Sequence, residues 1–231
     1  MLFLHTVRTY IMKILLIIAS TLFFSLVGAF AQKVRIMGIG DSITEGGGTF
    51  SSYMGPLKTM INESGLNCEF VGIRDGKSCG ISYRHSAFGG KNTEFIDSKI
   101  DSIYRVCQAD IVLIHSGHNH FIEEKPVDGI VSSHKSIIEK LRKRNPDVKI
   151  LIAGVIDSGK LPKYSYIGNL NSRLKELVNE YADENIIFVN VGDGFDWRIH
   201  TIKDKVHPNS VGAYVMASNW YKALNIILLK N

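Results

Sequence analysis

The sequence predicts an α/β fold, a three-layer α/β/α sandwich around a five-stranded parallel sheet. Three observations predict it. Short apolar runs recur along the chain, the stretches between them switch to a period near 3.6, and reactive residue types fall just past the ends of the runs.

The five runs are Val34–Ile39, Cys68–Ile73, Asp110–His115, Lys149–Ile156 and Ile186–Val191. They are nearly continuous in apolar residues rather than alternating, as parallel strands covered on both faces require. Between the third and fourth runs, Ile130, His134, Ile137, Ile138 and Leu141 line one helix face. Pro146 and Asp147 punctuate its end. Ile167, Leu170, Leu174, Leu177, Val178 and Tyr181 line the next helix. A last one, roughly Ser210 to Leu228, carries Tyr214, Ala217, Tyr221 and Leu224 on one side. No repeat or low-complexity linker interrupts the pattern. Right-handed crossovers then place the active residues at the carboxyl ends of the strands.

Residues 1–31 differ in kind. Arg8 and Lys13 precede an apolar run from Ile14 to Val27, and Ala29-Phe30-Ala31 closes it with small residues two apart. That is the layout of a secretory signal peptide, with cleavage expected after Ala31 and the mature domain at 32–231. The alternative is an uncleaved N-terminal anchor, although the run is short of the ~20 residues of a comfortable span. The expected destination is secreted or periplasmic, with no stable membrane span after cleavage.

The chain is 231 residues long, 45% hydrophobic and 21% charged, ordinary for one globular domain. Losing Arg8 and Lys13 would lower the formal charge from +5 by two. That balance, without basic runs interleaved by aromatics, excludes a nucleic-acid partner. The stretch Lys140–Arg144 instead suits a helix C-terminus. Cys68 and Cys79 could close a short disulfide loop after export; equally, they and Cys107 could be packed thiols.

Two motifs carry chemistry. The first run leads directly into Gly38-Ile39-Gly40-Asp41-Ser42-Ile43-Thr44, placing Ser42 on a tight turn past a strand end. Taken alone, Ser42 or Thr44 could simply cap a helix. Near the other end, Asp204-Lys205-Val206-His207-Pro208-Asn209 offers what a serine nucleophile needs: an imidazole base and a carboxylate to orient it.

Together these blocks resemble the first and last motifs of the GDSL/SGNH hydrolase superfamily. Its two middle motifs are matched by Phe88-Gly89-Gly90-Lys91-Asn92-Thr93 and Gly117-His118-Asn119-His120. The resemblance covers the whole of 32–231 and implies a flavodoxin-like SGNH fold and a serine esterase. By it Ser42, His207 and Asp204 form the triad. N–H groups of Ser42 and Gly90 and the Asn119 amide form the oxyanion hole, while Asp41, His118 and His120 face the substrate. His120 departs from the family pattern, which has aspartate there. Arg35-Ile36-Met37, Ser52–Leu57, Phe70-Val71-Gly72 and His85 are similar to secreted acetyl xylan-type carbohydrate esterases. The implied substrate is an acetylated oligo- or polysaccharide, with no cofactor.

Rival readings are a lysophospholipase- or thioesterase-type lipid esterase on the same triad, and a non-catalytic carbohydrate-binding protein. His115, His118 and His120 invite zinc, but the sequence offers no evident fourth ligand, so no metal is expected. Tyr83, Tyr164, Tyr166, Phe195 and Trp197 fall in connections, either stacking sugar rings or covering the sheet ends.

Overall fold

The computed structural model describes residues 32–229; the expected signal peptide at 1–31 lies outside them. The chain runs β1 (Val34–Gly40), α1 (Ser42–Glu45), α2 (Met54–Glu63), β2 (Cys68–Val71), β3 (Arg74–Ser78), β4 (Ile81–His85), α3 (Thr93–Val106) and β5 (Ile111–His115). It continues through α4 (Val127–Arg144), β6 (Lys149–Ala153), α5 (Ile167–Tyr181), β7 (Ile186–Val189), α6 (Trp197–His200) and α7 (Ser210–Leu228). Five strands form one sheet in the order β2-β1-β5-β6-β7, parallel at every pairing.

Alternate residues of the central strands feed two cores. Met37, Ile39, Val112, Ile114, Ile150 and Ile152 meet the apolar faces of α3, α4 and α5. Ile36, Leu113, Leu151 and Ala153 meet α2 and α7. Because β2 and β5 flank β1 on opposite sides, the winding reverses between β1 and β5. In open parallel sheets ligands bind at such a reversal, outside the strands' carboxyl ends.

The five strands start within a residue of expectation, but four stop one to three residues away from it. Val191 and Ile156 remain buried core without continuing the ladders. Outside the main sheet, β3 and β4 form an antiparallel hairpin, with Arg74 opposite His85. The α7 face also needs correcting. Ala213, Met216, Ala217, Trp220, Leu224 and Ile227 are buried, whereas Tyr214 is 48% exposed. Among the described residues the three cysteines are free thiols, Cys79 exposed.

Trp220 is the largest fully buried side chain and packs 5.8 Å from the Tyr53 ring, joining α7 to the start of α2. Trp220→Ala should cost about 3–5 kcal/mol, the usual penalty for deleting a buried aromatic. Urea unfolding would read it, and a loss below about 1 kcal/mol would mean that α7 does not seal this face.

Candidate active site

β1 delivers the serine. Gly40 sits where any Cβ would run into the His115 carbonyl and the Thr44 hydroxyl, so the chain can turn there only as glycine. Asp41 then caps α1, its Oδ1 accepting from Ile43 N at 3.0 Å. The turn leaves Ser42 partly exposed at the head of α1.

His207 arrives from the other end of the chain. Its Nε2 lies 2.8 Å from Ser42 Oγ, and its Nδ1 lies 2.5 Å from Asp204 Oδ2. The other Asp204 oxygen accepts from the backbone N–H groups of Val206 and His207, at 2.9 and 3.0 Å. Partial burial opposes the charge on Asp204, but these bonds outweigh it and hold the carboxyl below its ordinary value. Phe50 lies flat on the imidazole, centroids 4.1 Å apart at 26°. Sequence reasoning missed Phe50, because nothing local marks an aromatic 157 positions from its partner.

The middle motifs flank the serine. Backbone bonds from Ser86 N to Gly38 O (2.8 Å) and Phe88 N to Gly40 O (2.9 Å) lay residues 86–88 beside the end of β1. Gly89 N–H donates to Glu45 Oε2, and Arg74 holds the other oxygen of that carboxylate at 2.5 Å. Glu45, another residue the sequence reading passed over, therefore ties the serine turn to the glycine loop. Gly90 follows with φ +71°; its surroundings would admit a Cβ, so the backbone conformation is what favours glycine.

Past β5, residues 116–120 are fastened almost one by one. Ser116 O accepts from His134 Nε2 at 3.0 Å, Ser116 Oγ bonds Thr93 Oγ1 at 2.9 Å, and Gly117 O accepts from Tyr166 Oη at 2.8 Å. Asn119 takes φ +68°, a region asparagine tolerates better than most side chains. Its Nδ2 donates to Lys91 O at 3.0 Å, which orients the amide and leaves its second hydrogen for another acceptor.

The expectation that Asp41, His118 and His120 face substrate is corrected: they are only 0%, 2% and 6% exposed. Each turns inward. Asp41 Oδ2 and His118 Nδ1 are 3.9 Å apart beneath the serine, without hydrogen-bond alignment. Burial raises the Asp41 carboxyl to about 6, against the bond from Ile43 and the charge of His207. Burial also keeps His118 neutral, far below the ordinary imidazole range, and lowers His115 to about 4. The three histidines do not converge, and among the described residues no His, Cys, Asp or Glu group is arranged to hold a metal ion. His120 has carboxylate neighbours that the sequence did not reveal, Glu94 and Glu124. Tyr83, Tyr164 and Tyr166 are buried, covering the sheet end, while Trp197 is half-exposed, with Lys205 5.7 Å from its ring.

Chemically, the site joins a hydroxyl to a base, the base to an ionised orienting group, and both to exposed donors on two adjoining loops. Such a set can drive acyl transfer.

The GDSL-like Lipase/Acylhydrolase family matches the chain over residues 39–215. No curated protein sequence matches it. Among solved structures, a carbohydrate esterase family 3 protein from Talaromyces cellulolyticus superposes with a TM-score of 0.76 at 23% identity, over 86% of this chain and 99% of that one. A Clostridium thermocellum family 3 carbohydrate esterase gives 0.74 at 24%, over 86% and 98%. An acetyl esterase solved with acetate gives 0.75 at 22%, over 85% and 99%. At these identities the likeness shows a shared fold.

Burial gives Asp41 a pH signature. Its carboxyl is raised when folded, from 3.8 to about 6, so the fold prefers the protonated acid. Stability is therefore greatest below the unfolded value, falls as pH rises through about 6, and stays reduced above it, by about 3 kcal/mol in all. Asp41→Asn keeps the acceptor for Ile43 and should be more stable than wild type at about pH 8, the gap shrinking towards about pH 4. Thermal melts across that range would show it; a pH-independent gap would remove the assignment.

Proposed function

The chain belongs to the GDSL-like lipase/acylhydrolase family and is a carboxylic ester hydrolase; on that premise we propose that Ser42, His207 and Asp204 remove a small acyl group, acetyl, from a carbohydrate. The observation that carries the reading is the unbroken path from Ser42 Oγ through His207 to Asp204, with contacts of 2.8 and 2.5 Å. His207 Nε2 takes the hydroxyl proton as Oγ attacks the ester carbonyl. It returns that proton to the departing sugar hydroxyl, and water repeats the sequence on the acyl-enzyme. Asp204 stays ionised and keeps the Nδ1 proton in place.

The oxyanion would lie among N–H of Ser42, N–H of Gly90 and the free amide hydrogen of Asn119, donors that act on charge developing in the transition state. Two things support a carbohydrate. The structural neighbours include proteins described as carbohydrate esterases. Phe121, two residues past Asn119, is 51% exposed with Lys163 Nζ 4.2 Å from its ring centre, and the Trp197 edge offers another surface for a sugar ring. Secretion or periplasmic export rests on the signal pattern at Arg8–Ala31. Among the described residues no helix is long and apolar enough to cross a membrane.

Acetate release from acetylated xylan, pectin and mannan fragments, set beside a long-chain nitrophenyl ester, tests the reading. Release from one of the glycans that disappears in Ser42→Ala supports it. Cleavage of the long-chain ester alone would transfer the triad to a lipid substrate. Glu45→Ala should lower kcat by roughly 10²-fold with little change in KM, because it frees the loop that carries Gly90. An unchanged kcat would mean that the glycine loop holds its position without Glu45.

A further inference from the structure

His120 follows Asn119, the proposed oxyanion donor, yet is shut away from solvent. Its side chain is 8% exposed and lies between two carboxylates. Nδ1 is 3.1 Å from Glu124 Oε2, on the short 3-10 turn Ile122–Glu124. Nε2 is 3.0 Å from Glu94 Oε2 in the first turn of α3, an electrostatic contact rather than an aligned hydrogen bond. Among the described residues, the ion pairs of Glu94 and Glu124 are both with His120. From the remaining packed elements, α4 contributes His134, which burial holds neutral with a value of about 4. The segment entering α5 contributes Tyr166, whose hydroxyl is spent on Gly117 O.

This geometry spans both donor loops. Glu94 is four residues past Gly90, with Thr93 between them already bonded to Ser116. His120 is one residue past Asn119. A protonated imidazole has an N–H for each carboxylate; a neutral one has a single N–H and turns a lone pair towards the other. Resting on the esterase reading, we infer that His120 is a positioning residue whose imidazolium clamps the Asn119 loop to the start of α3, so that the oxyanion cradle is complete only while His120 keeps its proton.

Although burial opposes the charge, the two carboxylates outweigh it and raise His120 above its ordinary 6.5. A raised histidine contributes fully below its unfolded value and loses that contribution as pH climbs through the folded one. Activity therefore declines as pH climbs through that window and the clamp opens.

The test compares kcat and KM against pH for wild type, His120→Asn and Glu124→Gln on 4-nitrophenyl acetate. Wild-type kcat should fall roughly tenfold or more on the alkaline side with KM nearly constant, as for a displaced transition-state donor. His120→Asn should be slower at neutral pH and lack the alkaline limb; Glu124→Gln should move that limb to lower pH. An alkaline limb of the same midpoint in all three proteins would overturn the inference. A second measurement needs no turnover: in an NMR titration the Gly90 and Asn119 amide signals should shift with the midpoint of the His120 ring. Amide signals indifferent to that ring would also overturn it, whereas wild type failing to cleave any ester at neutral pH would defeat the esterase reading instead.

Discussion

A single contact, Ser42 Oγ to His207 Nε2 at 2.8 Å, connects residues 165 positions apart, and the rest of the site is arranged to keep it. Neither side chain can find the other locally. Ser42 is fixed by the end of β1 and the turn at Gly40. His207 is fixed by the loop before α7, which packs on the opposite sheet face from α3, α4 and α5. Asp204 folds its own loop around itself by taking two backbone N–H bonds, and Phe50 closes one face of the imidazole. The ring is thus held at both nitrogens and on one face, leaving little rotamer freedom to lose in a transition state.

The second constraint is the polar segment 116–120 that directly follows β5. A loop buried there must satisfy its own backbone, and this one borrows partners for its carbonyls from α4 and the approach to α5, while Thr93 of α3 bonds the Ser116 hydroxyl. The same loop presents Asn119 with a left-handed backbone. Packing around it has a cost: Asp41, His115 and His118 are all shut away from water, and burial drives each towards its uncharged form.

Ionic contacts sit one layer out. Arg74, on a hairpin that is not part of the main sheet, reaches Glu45, and Glu45 reaches the Gly89 amide. On the opposite flank, His120 joins Glu94 to Glu124. The two loops that flank Ser42 are thus each tied by ionic contacts set behind it. Such contacts act on geometry more than on global stability.

Much was legible in the chain itself. Near-continuous apolar runs marked the buried parallel strands, helical spacing marked the covering layers, and the motifs holding Ser42, Asp204 and His207 supplied side chains that the fold brings into contact. What failed was whatever depends on direction. Asp41, His118 and His120 lie in the right motifs but point inward, because the turn after Gly40 and the fastened loop after β5 set their side-chain vectors. Glu45, Arg74, Phe50, Glu94 and Glu124 carry no signature, since each gains its role from a partner on another element. Periodicity and motif are properties of neighbours along the chain, so the sequence determined the sheet, its helices and the motifs placed at the strand ends. Burial and pairing are properties of neighbours in space, so only the tertiary structure decided which polar side chains line the site and which hold it from behind.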